Sequence, residues 1–188
     1  DYLDKTIPLN GFINEPSLAR CLPQLLKKDV PIMLSASSPI RDFLTYSGEG
    51  KLSRRFFSFR GASGIDGTLS LALGLSVQLG PLLLVTGDLA LLHDTNGWLL
   101  SEFIKSQLIV LLIDNGGGGI FKRLPIESSP DLDVDELFTM PQRVNQLLLV
   151  DSYGIPSRQI ACLEDLKTAL EWGFSQIGPV LLRVCTNP

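Results

Sequence analysis

The chain has 188 residues, of which 16 are Lys or Arg, 20 are Asp or Glu and one is His, giving a formal net charge of −4 at pH 7. This length is typical of one domain, and a hydrophobic content of 45% excludes an intrinsically disordered chain. The acidic balance argues against nucleic acid as a partner. Three widely spaced cysteines, Cys21, Cys162 and Cys185, exclude a disulfide framework and favour a reducing compartment, so we expect a cytoplasmic location.

Apolar runs and helical patterns alternate along the chain. Short apolar runs predict strands over 31–36, 56–59, 82–86, 108–114, 159–162 and 180–185. Leucines and other apolar residues at helical spacing predict helices over 14–28, 39–46, 65–79, 89–105, 143–153 and 164–176. The remaining polar stretches predict loops over 47–51 and 125–135. This alternation predicts an α/β fold: a doubly wound, mostly parallel sheet with helices on both faces. We expect a linker over residues 1–10, one domain over 11–188, and a chain that is part of a longer protein.

The stretch from Gly67 to Gly87 contains no charged residue and is long enough to be a transmembrane candidate. The turn signal Gly80-Pro81 interrupts it, and the polar residues Ser70 and Ser76 precede that turn. A buried helix followed by a buried parallel strand accounts for the stretch better, because central strands of α/β sheets are apolar on both faces.

Polar and Gly-rich segments follow the first four predicted strands. They are Ser37–Arg41, Arg60–Gly64, Gly87–Leu89 and Asp114–Gly119. Ligands of open parallel sheets bind beyond the carboxyl ends of the strands, so these segments predict the binding site.

Asp88 and Asn115 end successive predicted strands, separated by one crossover of 27 residues. A carboxylate and an amide oxygen side by side are suited to Mg²⁺ or Ca²⁺, with room for phosphate oxygens. Four glycines, 116–119, follow and let the backbone approach a ligand closely. The alternative is that Asp88 only caps a helix, Asn115 only forms a turn, and the glycines form a flexible connector.

Five blocks of sequence carry a more specific signal. They are Ser37-Ser38-Pro39-Ile40-Arg41-Asp42, Arg60-Gly61-Ala62-Ser63-Gly64-Ile65-Asp66-Gly67, Gly87-Asp88-Leu89, Asn115-Gly116-Gly117-Gly118-Gly119-Ile120-Phe121 and Leu124-Pro125. In this order they resemble the thiamine diphosphate enzymes. The motif has Leu89 where most of these enzymes have Gly. In this it resembles one branch, the MenD family of 2-succinyl-5-enolpyruvyl-6-hydroxy-3-cyclohexene-1-carboxylate synthases. Asp114, where Asn is often found, departs from the usual pattern.

The resemblance implies a thiamine diphosphate site with Mg²⁺, or Mn²⁺ in its place. Asp88 and Asn115 would bind the metal through side-chain oxygens, and Gly117 would bind it through its carbonyl. Ile65 would be the apolar wedge that bends the cofactor, although ordinary helix packing explains it equally well. The implied cofactor site also includes Ser63, Gly64, Gly87, Leu89, Gly118 and Ile120.

The substrates implied by the resemblance are the dicarboxylates 2-oxoglutarate and isochorismate. An acidic protein must supply local positive charge to bind them, and Arg binds carboxylates in a bidentate manner. The implied substrate-binding residues are Ser37, Arg41, Arg60, Ile120, Phe121 and Leu124. Arg54 and Arg55 are near in sequence, but a solvated loop face explains them equally well.

The resemblance places this chain as the last of three domains of an enzyme that decarboxylates 2-oxoglutarate and adds the succinyl carbanion to isochorismate, in menaquinone or phylloquinone biosynthesis. The glutamate that activates the cofactor would belong to the N-terminal domain. We therefore assign no catalytic residue here, and expect an inactive fragment and a homodimer or homotetramer at full length. One alternative is another thiamine diphosphate enzyme, such as an acetolactate synthase or a 2-oxo acid decarboxylase. A nucleotide-binding module is the other, but the sequence has no Gly-x-Gly-x-x-Gly after the first predicted strand and no P-loop.

Overall fold

A computed structural model describes residues 6–48, 54–59, 61–123, 133 and 135–186. Its centre is a six-stranded sheet in which every strand pairs in parallel with its neighbours. The strands are β1 (Ile32–Leu34), β2 (Phe56–Ser58), β3 (Leu82–Gly87), β4 (Leu108–Asp114), β5 (Ser157–Ile160) and β6 (Pro179–Cys185). Their order across the sheet is β2-β1-β3-β4-β6-β5, so β3 and β4 are the two central neighbours.

Helices lie on both faces of the sheet. They are α1 (Glu15–Leu25), α2 (Ser38–Tyr46), α3 (Thr68–Leu79), α4 (Asp88–His93), α5 (Gln146–Asp151) and α6 (Leu163–Ser175). Three helical segments of other types are described: 3₁₀-helices at Thr95–Phe103 and Gly119–Arg123, and a π-helical turn at Asp135–Thr139. The predicted doubly wound α/β architecture is therefore confirmed.

Two apolar layers enclose the sheet. On one face, Leu83 and Val85 of β3 pack in a cluster with residues of α1, α2 and α6. On the other face, Leu82 and Leu84 pack in a cluster with residues of α3 and α4 and with Trp98. Successive residues of β3 thus enter opposite layers, which explains its continuous apolar run. Among the described residues, no helix is long and apolar enough to cross a membrane.

Helix α3 begins three residues later than predicted. The sequence predicted a helix from Ile65, but Gly67 has a left-handed backbone (φ 67°) and precedes the first helical residue, Thr68. A left-handed residue cannot continue a right-handed helix, so Ser63, Gly64 and Ile65 belong to the connection before it. Ile65, at which the sequence predicted the helix to begin, therefore does not form the helix N-terminus.

The predicted helix over 89–105 is two elements. Helix α4 ends at His93, and a 3₁₀-helix follows from Thr95 to Phe103. Between them, the Asp94 carboxylate accepts hydrogen bonds from the Ser70 backbone N–H at 2.6 Å and the Ser70 hydroxyl at 3.0 Å. This tie to α3 holds Asp94 outside helical geometry (φ −118°, ψ 27°) and divides the helix.

The other differences are shifts of element boundaries. Helix α5 starts later than predicted because Asn145 caps it, accepting hydrogen bonds from the N–H groups of Leu147 and Leu148. Strand β5 begins and ends two residues earlier than the predicted strand over 159–162. The predicted loop over 125–135 lies almost entirely outside the described residues. The proposed boundary at residue 11 stays a prediction; near it, the Ser17 hydroxyl donates to the Pro8 carbonyl at 2.6 Å.

Arg54 closes the C-terminal end of α1. Its guanidinium donates to the carbonyls of Pro23, Leu26, Lys27 and Val30. Cations stabilise helix C-termini, and the last turn of α1 has no basic residue of its own. This contact gives Arg54 a structural role, in place of the solvated loop face considered from the sequence.

We predict that Gly173→Ala in α6 lowers the free energy of unfolding of the chain by about 1–3 kcal/mol. A Cβ there would lie 2.6 Å from the Cδ1 atom of the fully buried Ile109, so the core would have to shift. Chemical denaturation with a circular dichroism readout measures the change.

Gly74→Ala is the matched control, because a Cβ at this exposed position of α3 meets nothing within 4 Å. We expect it to raise stability by roughly 0.5–1 kcal/mol through helix propensity. Equal effects of the two substitutions would contradict the packing described for α6.

Candidate active site

A cavity of about 620 Å³ opens at the carboxyl ends of the central strands. It brings together most of the residues that the sequence predicted for the cofactor and the substrates. Those that line it are Ser37, Arg41, Ser63, Ile65, Gly87, Asp88, Leu89, Asn115, Gly117, Gly118, Ile120 and Phe121.

Three predicted site residues are not placed in this cavity. Gly64 is not among its lining residues, and a Cβ at that position would overlap the Asp66 carboxylate. Arg60 and Leu124 lie outside the described residues.

The two predicted metal ligands follow the ends of neighbouring central strands. The parallel register pairs Gly87 of β3 with Ile113 of β4, so Asp88 and Asn115 both emerge at the same edge of the sheet. Both side chains line the cavity. We predicted that the two strands are adjacent because a single crossover connection separates them in the sequence. The strand order of the sheet confirms this.

Each of these side chains has a buried oxygen that lacks a hydrogen-bond partner. Asp88 is only 2% exposed; its Oδ1 accepts from the Leu89 backbone N–H at 2.7 Å, while its Oδ2 has no partner. The Oδ1 atom of Asn115 is also buried and unpartnered. A buried polar atom without a partner costs about 1–3 kcal/mol. The chain therefore holds two oxygens ready for a ligand.

The environment of Asp88 disfavours its charged form. Burial, with a contribution from the nearby Asp114 carboxylate, raises the pKa of the Asp88 carboxyl to about 6, against the hydrogen bond from the Leu89 backbone. Asp114 itself is held by Arg183, whose guanidinium lies 2.7 Å from it. A cation beside Asp88 would remove this penalty.

The glycine run takes a shape that side chains would prevent, because another stretch of chain packs against it. Gly117 has φ +141°, and a Cβ there would lie 2.4 Å from the Thr139 carbonyl oxygen. A Cβ on Gly118 would lie 2.9 Å from the Phe121 ring. The sequence predicted close approach to a ligand for these glycines, and the structure adds a second requirement, close approach to the chain itself.

The donor set fits a hard divalent cation. It comprises one carboxylate oxygen, one amide oxygen and the carbonyl of Gly117, which already accepts from the Gly119 N–H at 2.9 Å and keeps a second lone pair. Mg²⁺ is commonly bound through one or two carboxylates plus ligand phosphates. Within the described ranges, no group of three or more His, Cys, Asp or Glu side chains could hold a metal.

A strained turn brings Ser37 and Arg41 to the cavity wall. Ser37 has a positive φ of 75° directly before α2, an uncommon conformation for a residue with a side chain. The exposed Arg41 guanidinium donates to the Ser37 carbonyl at 2.7 Å. Backbone strain of this kind clusters at functional sites, so its occurrence beside the cavity supports a binding role for this turn.

Sequence reasoning missed two charged residues that line the cavity, and the ion pair that one of them forms. Glu15, 5% exposed, lines the cavity from the start of α1, and Arg123 lines it from the 3₁₀-helix Gly119–Arg123. Arg123 forms an ion pair of 2.7 Å with Asp42, which is 3% exposed. Burial raises the pKa of Asp42, and Arg123 opposes this shift. No local pattern marks these contacts, because the pair spans 81 residues of sequence.

Comparison with solved structures defines the class of the fold. The chain is similar to benzoylformate decarboxylase from Polynucleobacter necessarius, with a TM-score of 0.75, 18% identity, and coverage of 93% of this chain and 33% of that one. A putative thiamin diphosphate-dependent enzyme from Mycobacterium smegmatis matches with a TM-score of 0.67, 16% identity, and coverage of 95% and 33%. The architecture is therefore the thiamine diphosphate-binding fold, as expected from the motifs.

Curated sequences are more specific, although no protein-family model matches the chain. The 2-succinyl-5-enolpyruvyl-6-hydroxy-3-cyclohexene-1-carboxylate synthase of Prochlorococcus marinus (strain MIT 9313) is 59% identical over 187 residues, which are 100% of this chain and 32% of that protein. The same synthase of Synechococcus sp. (strain CC9902) is 58% identical over 186 residues, 99% of this chain and 33% of that protein. The chain thus spans about a third of these relatives, and it corresponds to the C-terminal part of this synthase.

We predict that Asp88→Asn stabilises the metal-free chain by roughly 1–3 kcal/mol at pH 8, because it removes a buried charge. The pKa of Asp88 is raised to about 6 in the folded chain. The protonated carboxyl therefore contributes to the free energy of unfolding fully below about pH 4, and this contribution is lost as the pH rises through 6. The gain in melting temperature should therefore disappear at pH 4. Asp165→Asn, which changes an exposed acid in the first turn of α6, is the control. If Asp88→Asn and the parent chain had the same melting temperature at pH 8, a buried charge at Asp88 would be contradicted.

Proposed function

We propose that this chain is the diphosphate-binding domain of a thiamine diphosphate-dependent synthase, a transferase that decarboxylates 2-oxoglutarate and joins the resulting four-carbon unit to isochorismate. The proposal places it in menaquinone or phylloquinone biosynthesis in the cytoplasm. One observation carries the proposal: Asp88 and Asn115, which each have an unpartnered buried oxygen, line one cavity at the ends of the central strands. The relatives at 54–59% identity favour this synthase over other thiamine diphosphate enzymes.

In this proposal the cavity floor holds the diphosphate through Mg²⁺, or Mn²⁺ in its place. Asp88, Asn115 and the Gly117 carbonyl bind the ion. The ion held by these residues would neutralise the diphosphate, which the acidic chain would otherwise repel. Around it, the cofactor would contact Ser63, Ile65, Gly87, Leu89, Gly118 and Ile120, with Gly64 in the connection that carries Ser63 and Ile65. When bound, thiamine diphosphate supplies the carbon nucleophile on which 2-oxo acid decarboxylation and carbon–carbon bond formation depend.

The cavity walls bind and orient the substrates. The exposed Arg41 guanidinium supplies positive charge for a carboxylate, with Ser37 beside it as a hydrogen-bond donor. Ile120 and Phe121 offer an apolar wall to the isochorismate ring and exclude water from it. Arg60 and Leu124 complete this set in the proposal. Each of these residues positions a substrate, and none transfers a proton.

The remaining parts of the site come from outside this chain. The chain spans about a third of its curated relatives, and we propose that a pyrimidine-binding domain and a central domain make up the rest. The activating glutamate belongs to the pyrimidine-binding domain of a partner subunit, so the enzyme works as a homodimer or homotetramer. The third domain on its own is accordingly inactive.

We predict that Asp88→Ala in the complete enzyme weakens Mg²⁺-dependent binding of thiamine diphosphate by more than about 100-fold. Loss of partners that only orient a metal ligand typically costs 10–100-fold, so loss of a ligand costs at least as much. Titration calorimetry at saturating Mg²⁺ measures the affinity. Asp165→Ala, another acid in the first turn of a helix, is expected to bind as the parent does. Unchanged affinity of the Asp88 variant would refute the metal assignment.

We also predict that the purified 188-residue chain lacks synthase activity and binds thiamine diphosphate more weakly than the complete enzyme does. Without the pyrimidine-binding domain, the fragment would bind only the diphosphate end of the cofactor, and the pyrimidine end would lack its binding residues. A turnover assay with 2-oxoglutarate and isochorismate measures this, with the complete enzyme as positive control. Turnover by the purified fragment would overturn the proposed division of labour.

A further inference from the structure

A buried carboxylate stands behind one of the two proposed metal ligands. Glu15 is the first residue of α1, lines the cavity and is 5% exposed. Its Oε1 accepts a hydrogen bond of 2.8 Å from the hydroxyl of Thr186, which follows β6. The same oxygen lies 3.5 Å from the Nδ2 atom of Asn115, which donates to it. The contact joins residues 100 positions apart, so it is a product of the fold.

This contact decides which way the Asn115 amide faces. An amide presents an NH₂ donor on one side and an oxygen acceptor on the other, and an ionised carboxylate only accepts. Asn115 can therefore turn only its nitrogen toward Glu15, because the reversed amide would bring two oxygens together. The Oδ1 atom is left on the opposite side, where it is buried and unpartnered.

The Glu15 carboxylate is held in place from two directions. Its backbone is fixed as the first residue of α1. The hydroxyl of Thr186 fixes the carboxylate from a second direction. Asn14 caps the helix by accepting a hydrogen bond from the Ser17 N–H at 2.9 Å, so the Glu15 side chain does not serve as the helix cap.

We propose that Glu15 is a positioning residue for the metal site, acting through Asn115. By accepting from the amide nitrogen, it presents the amide oxygen toward the ion that Asp88 also binds. The reversed amide would instead direct N–H hydrogens at a cation. This inference rests on the proposed function, because it assumes that Asn115 is a metal ligand.

The direct test compares Glu15→Gln in two backgrounds of the complete synthase. In the parent background, the Gln side chain can donate as well as accept and no longer enforces the orientation of Asn115. Mg²⁺ affinity at fixed thiamine diphosphate should fall by roughly 10–100-fold. In the Asn115→Asp background both oxygens at position 115 are acceptors, so orientation is irrelevant and Glu15→Gln should not weaken Mg²⁺ binding.

Metal titration followed by calorimetry gives the affinities, and the melting temperature without metal shows that each variant is folded. Glu164→Gln, which alters an acid in the first turn of α6 away from the cavity, is the matched control and should bind Mg²⁺ as the parent does. An equal loss in both backgrounds, or no loss in the parent background, would overturn the inference. Should Glu15→Gln fail to fold, Glu15→Asp tests the same contact, because the shorter side chain does not reach Asn115; parent-like Mg²⁺ binding by Glu15→Asp would also overturn it.

The outcome is separable from failure of the proposed function. If Asp88→Ala abolishes Mg²⁺ binding while both Glu15 variants bind normally, the metal site stands and the positioning role fails. If Asp88→Ala binds Mg²⁺ as the parent does, the metal assignment itself fails and the positioning role fails with it.

Discussion

Parallel pairing of the two central strands is the constraint on which the site depends. Strands β3 and β4 are buried on both faces, and their register brings the residues that follow them, Asp88 and Asn115, to one edge of the sheet. Their position cannot shift by one residue without moving a whole row of Leu and Val side chains into the wrong layer. The core thus determines where the two oxygens lie, and the loops only close the cavity around them.

The site is built from features that are individually unfavourable to the folded chain. Asp88 is buried with a raised pKa, two oxygens have no partner, and Ser37 holds a backbone conformation that costs about 1–3 kcal/mol. Structures retain such features when a ligand compensates for them or when function requires them. Their occurrence beside one another around a single cavity is an argument for binding that is independent of any resemblance.

Much of the fold and of the central site was predictable because it is encoded locally. Apolar runs bounded by turn residues marked β3 and β4, and Asp88 and Asn115 stood directly after them. What local patterns could not predict were contacts between distant segments. The tie of Asp94 to Ser70 divided a predicted helix, and the neighbours of Asn115 include Glu15, whose place in a first helical turn looks ordinary in sequence. For the same reason local patterns did not predict that the glycines at 117 and 118 also accommodate the backbone near Thr139.

The most direct test of the account is to locate the metal in the complete enzyme crystallised with thiamine diphosphate and Mn²⁺. Anomalous scattering from Mn²⁺ identifies the ion without reference to any assumed ligand. The account predicts one strong peak within coordination distance, about 2.0–2.3 Å, of Asp88 Oδ2, Asn115 Oδ1 and the Gly117 carbonyl oxygen. A peak held by other residues, with these oxygens left out of its coordination sphere, would contradict it.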